Sequence, residues 1–134
     1  TVESVWQDIF HEPENPAGFS RFTECIQWAY DCMRRGNETY PAFSQPLMIF
    51  GEEKEDGQKL MEKSWRHIKN GFYAALMQDP AIDHSPFDQE FTPHKFVDII
   101  FSLILSSLLQ QDYNCSGIIR MTELLLYRQD DSLL

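Results

Sequence analysis

The chain has 134 residues, 43% hydrophobic and 24% charged. That length suits one domain, and that composition excludes a globally disordered polypeptide. Its 21 acidic side chains against 11 basic ones leave a formal net charge of −10, which argues against nucleic acid and anionic membranes as partners.

Helical periodicity recurs in every long segment and sustained alternation of apolar and polar residues does not occur, which predicts an all-α fold. The first helix is expected over 2–10, where Val2, Val5, Trp6, Ile9 and Phe10 form one apolar face. Pro13 and Pro16 then break the helix. This proline-punctuated hinge would leave an N-terminal helical arm, residues 1–12, that can seal its own bundle, exchange with a second copy or enter a partner's groove. Asn15-Pro16 offers a cap and first-turn proline for a second helix over about 16–35, with the stripe Phe19, Phe22, Ile26, Ala29, Tyr30 and Met33. Gly36 is expected to end it in the left-handed conformation.

The following segment, NETYPAFSQPLMIFG, holds Pro41 and Pro46 among large apolar residues and reads as a strap packed over the core. A third helix is expected over about 58–78, with Leu60, Met61, Trp65, Ile68, Phe72 and Leu76 inward. Asp79-Pro80 ends it. Thr92-Pro93 reads as the cap and first turn of a fourth helix. Ser116 to Arg128, with Ile118, Met121, Leu124, Leu125 and Leu126, reads as the last helix, ahead of a tail at 129–134.

Within the fourth helix, FVDIIFSLILSSLL (96–109) carries one formal charge, Asp98. It falls short of the roughly 20 apolar residues a membrane span needs. Leu105-Ser106-Ser107-Leu108-Leu109 resembles the LxxLL box with which coactivators enter nuclear-receptor grooves. Such a box has to be accessible, whereas a helix apolar all round is normally a central one. The expectation is therefore a single compact bundle of about five helices with a central hydrophobic fourth helix.

No P-loop, GxGxxG, HExxH, GxSxG or CxxC occurs, so no catalytic residue, cofactor or metal is assigned from motifs. The loop 79–94 gathers Asp83, His84, Asp88, Glu90 and His94 and is the alternative reading, a small metal- or ligand-binding domain. Three cysteines make no disulfide framework, and Cys25 and Cys32 would stand roughly 10 Å apart along a helix. A reducing intracellular home, cytoplasmic or nuclear, is the simplest expectation. Because the chain opens on Thr1, it reads as a piece of a larger protein.

The outer face of the third helix carries Lys59, Lys63, Arg66, Asn70, Tyr73 and Met77, a basic patch running into an aromatic ring and a thioether. Those residue types suit a protein interface, one that would take an acidic or amphipathic peptide. Trp28 lies opposite the main stripe of the second helix and is either an exposed anchor or is covered by the strap. The expected function is a non-enzymatic protein-interaction domain, an adaptor or scaffold. A homo-oligomerisation domain using the first or last helix is the second alternative.

Overall fold

A computed structural model describes residues 2–10, 19–45 and 55–129, and within them the side chains of 4–10, 19–45 and 62–129. The described residues form five helices: α1 (Val2–Ile9), α2 (Phe22–Thr39), α3 (Glu55–Gln78), α4 (Pro93–Gln110) and α5 (Ser116–Leu126). They make a small all-α bundle. α2 packs against α1, α3 and α5, while α3 packs against α1, α2 and α4. The expected Asn15-Pro16 cap, the strap residues Leu47 to Phe50 and the tail 130–134 lie outside the described residues.

α1 places Trp6, Ile9 and Phe10 in the core. The Trp6 ring stacks on Phe10 at 5.3 Å and meets Phe43 edge-on at 5.2 Å, so α1 seals its own bundle. Turns over 40–45 deliver Phe43 to this cluster, where it is buried. The Tyr40 hydroxyl donates to Asp8 Oδ2 at 2.7 Å and ties the turn back to α1.

Two boundaries of α2 differ from the expected ones. Phe19 to Arg21 are not helical, and the helix starts at Phe22. Arg21 makes no side-chain cap; instead the distant Asp79 carboxylate accepts the Phe22 N–H at 2.9 Å. At the other end the helix runs through Gly36 to Thr39. Gly36 is buried under α1, where a Cβ would stand 2.7 Å from Ile9 Cδ1 and 2.8 Å from Cγ1. Glycine is there because two helices cross closely, not because the chain turns.

α4 begins as expected, with Thr92 Oγ1 accepting the Lys95 N–H at 3.1 Å and Pro93 in the first turn. Gln111 closes it in the left-handed region, φ 53°, with its N–H on the Leu108 carbonyl. Phe96, Val97, Ile100, Phe101, Ile104 and Leu108 are buried, but Ile99, Leu103 and Leu109 on the other side are exposed. The helix thus contributes one face to the core and is not covered all round. In the Leu105–Leu109 stretch, Leu108 is fully buried, Leu105 half-buried and Leu109 exposed, so the three leucines do not share one exposed face.

α5 also turns a different side inward. Thr122 and Leu126 are buried and Ile118 half-buried, whereas Met121, Leu124 and Leu125 are exposed. Its end is fixed by an isolated antiparallel bridge between Ile82 and Tyr127. The Asp83 N–H donates to the Leu126 carbonyl at 2.7 Å and the Arg128 N–H to the Ala81 carbonyl at 3.0 Å.

Candidate functional site

α3 runs between two surface clefts. At 100° per residue, Glu62, Trp65, Arg66 and Lys69 lie on one flank and His67, Ile68, Gly71 and Phe72 on the other. On the first flank a groove of about 330 Å³ opens against α4, lined by Glu62, Trp65, Arg66, Lys69, Asn70, His94, Val97 and Asp98. Trp65 is held there edge-on to Phe101 at 5.7 Å. Lys69 Nζ is 3.2 Å from Asp98 and 5.3 Å above the Phe101 ring, so its charge is paired across the groove. His94 stacks flat on Tyr73 with ring centroids 3.8 Å apart and planes within 5°.

Arg66 is exposed and makes no ion pair with a described residue. The Glu62 to Arg66 pairing that i, i+4 spacing allows is not formed. An arginine without a carboxylate, beside an indole at a concave surface, can receive one carboxylate from outside in a bidentate hydrogen bond.

The second flank opens a cleft of about 310 Å³ between α3, α2 and the segment around α1. Phe10, Phe19, Trp28 and Phe72 line it, with Cys25, His67, Ile68, Asn70 and Gly71. Trp28 is half-buried, edge-on to Phe10 at 6.0 Å and tilted against Phe19 at 5.8 Å. Its cover among the described residues is therefore Phe10 and Phe19. The strap residue Phe43 packs on Trp6 and Phe10 instead.

Of the residues read from sequence as partner-binding, Arg66 lines the first groove, Tyr73 adjoins it through His94, and Trp28 lines the second cleft. Lys63 and Met77 are exposed on the crest of α3 without lining either. The Lys59 side chain lies outside the described residues. Sequence reading missed Lys69, His94 and Asp98 as groove residues. Lys69 recurs three residues after Arg66 and was legible on the wheel, but the partners from α4 come from tertiary contact.

The loop 79–94 has a structural account. Asp83 accepts the Ser85 N–H at 3.0 Å, which holds its carboxyl below the usual range. Asp88 accepts the N–H groups of Glu90 at 2.9 Å and Phe91 at 2.8 Å. These are the self-capping turns that Asp makes in loops. Asp79 points inward and is buried, accepting from the Phe22 and Ala81 N–H groups and from the Tyr127 hydroxyl. Among the described residues no three His, Cys, Asp or Glu side chains come together in a way that could hold a metal ion.

The thiols also lie inside. Cys25 is pushed up to about 12 by burial and then by neighbouring Cys32, the opposite of what a nucleophile needs. Burial likewise raises Cys32 and Cys115. No described helix is long and apolar enough to cross a membrane. Comparison with protein-family models, with curated proteins and with solved structures finds no match, so the functional reading stands on these two clefts alone.

Proposed function

We propose that this chain is a non-enzymatic protein-interaction domain, an adaptor or scaffold module, whose partner docks on α3 over the groove shared with α4. The observation that carries the reading is Arg66, a guanidinium with no ion-pair partner among the described residues, set beside Trp65 on a concave surface. Arg and Trp are the side chains that dominate interface energetics. The chain's net charge of −10 opposes a strongly acidic partner at long range. Charges more than about 8 Å away are screened at physiological salt, so the local guanidinium decides whether one acidic side chain is accepted.

The test is capture from cell extract by the chain and by Lys63→Glu/Arg66→Glu, followed by purified binding of whatever is captured. A protein that binds the wild type directly and is weakened at least about tenfold by the variant supports the reading. A partner that binds both equally removes α3 as its surface.

A second reading is self-association through α5, favoured by the exposure of Met121, Leu124 and Leu125 on one short helix. A concentration-dependent dimer that Leu124→Glu abolishes would establish it. A monomer at every concentration would remove it.

A further inference from the structure

α1 is buried in the bundle through Trp6, Ile9 and Phe10. They enter a seat made by α2, α3 and the turns over 40–45. The Ile9 side chain lies over Gly36, at the one place on α2 where a Cβ would collide with it. Trp6 meets Phe43 edge-on at 5.2 Å and Trp65 of α3 at 6.5 Å. At the rim the Tyr40 hydroxyl donates to Asp8 Oδ2 at 2.7 Å.

The seat is wider than α1. A cavity of about 100 Å³, lined in part by Asp8, Ile9, Cys32 and Arg35, runs along one margin. The aromatic cleft of about 310 Å³ opens at the other, where Phe10 is one of its walls. The residues that follow Gly36 and Phe43 each hold a buried oxygen, Asn37 Oδ1 and Ser44 Oγ, with no hydrogen-bond partner. Such a group costs stability that admission of water would restore. At eight residues α1 is also too short to be a stable helix by itself in water, so it owes its helicity to the seat.

We infer that this seat is a docking groove for an amphipathic helix of a partner protein, held in this chain by α1 as a resident, displaceable occupant. The occupant is chosen by the helix already seated there, which displays what the groove accepts. Counting from Trp6, the partner helix carries an aromatic residue at 0, a carboxylate at +2 for Tyr40, an aliphatic residue at +3 over Gly36 and an aromatic residue at +4. A partner helix longer than α1 displaces it because more of its helicity is its own. Displacement also frees the Trp6 side of Trp65, whose other contact is Phe101 in the groove between α3 and α4, so release of α1 widens the surface that α3 presents.

Hydrogen exchange of the whole chain at low denaturant tests the release without any variant. The amides of α1, including the Phe10 N–H bound to the Trp6 carbonyl at 2.9 Å, should exchange through an opening at least about a hundredfold more populated than global unfolding. Loss of α1 protection only together with that of α2 and α4 would overturn the inference. The seat is tested with a peptide of residues 1–10 titrated into wild type, Trp6→Ala, Trp6→Ala/Gly36→Ala and Trp6→Ala/Arg66→Glu, with thermal melts confirming that each folds. The peptide should bind Trp6→Ala at least about tenfold more tightly than wild type, whose own α1 competes, and raise its melting temperature. Gly36→Ala should abolish that gain and Arg66→Glu should leave it, which separates this seat from docking beside Arg66. Equal binding to all four chains, or no rise in melting temperature, would overturn it. A wild-type dimer that Trp6→Ala abolishes and Leu124→Glu spares would overturn the assignment to a partner helix and make a second copy's α1 the occupant.

Discussion

Gly36 and Gly71 are both helical, yet the structure gives them opposite prospects for a methyl group. At Gly36 it would stand within 2.9 Å of three Ile9 side-chain carbons; at Gly71 it would touch nothing. Gly36→Ala should lower stability by about 1 to 3 kcal/mol through overpacking, with Ile9→Val restoring part of the loss in a double-mutant cycle. Gly71→Ala should raise stability by about 1 kcal/mol from helix propensity alone. Denaturant unfolding of both variants checks the signs. Asp79 is the other residue on which much hangs. It caps α2 through Phe22 and holds Tyr127, over whose ring the Arg21 guanidinium lies at 4.5 Å. Asp79→Ala should cost about 3 kcal/mol because it strands buried donors, whereas Tyr127→Phe should cost about 1 to 2. The two should be non-additive, and purely additive losses would show that the contacts are independent. From sequence, Asp79 was legible only as half of an Asp-Pro helix stop. Besides the neighbouring Ala81 N–H, its partners are 57 and 48 residues away, a distance over which no local pattern carries information.

At the scale of elements, the existence and type of the helices were legible because each carries an amphipathic stripe. Their inward faces were legible only where polar residues oppose the stripe. In α4 the abundance of Leu and Ile suggests a helix covered on all sides. Yet Asp98, Ser102, Ser106 and Gln110 recur every four residues and mark the side that is in fact exposed. Composition reports how much a helix can bury; the spacing of its few polar residues reports which way it faces. Ile99→Lys or Leu103→Lys should therefore change stability by no more than about 0.5 kcal/mol, while Ile100→Ala should cost about 2 to 5. A large loss at Ile99 or Leu103 would mean that this face is covered. At the end of the same helix, Gln111 holds φ 53° without being glycine. Gln111→Gly should add up to about 1 kcal/mol by relieving that conformation, measurable as a raised melting temperature.

For the whole molecule, burial of titratable groups predicts alkaline lability. Cys25 is raised from an ordinary 9.0 to about 12, so the native state keeps a proton that the unfolded chain releases. Its contribution is complete below pH about 9 and is lost as pH climbs towards about 12, by up to about 1.4 kcal/mol per unit. Tyr30, Tyr113 and Tyr127 are also raised, each first by desolvation, and act in the same direction. Denaturation midpoints followed from neutral to alkaline pH should fall, and less steeply in Cys25→Val; a midpoint independent of pH would contradict the buried thiol. At this scale the sequence showed the basic patch on the third helix and the oddly placed Trp28, but not that Arg66 and Trp28 line clefts on the two flanks of α3. That relation is set by how α1, α2 and α4 pack around α3. The most direct test of docking on α3 is amide chemical-shift mapping of the chain with a captured partner segment. Shifts gathered at Trp28, Arg66 to Ala74 and His94 to Asp98 are the predicted result. Shifts gathered instead on Met121 to Leu125 of α5, with α3 silent, would contradict it.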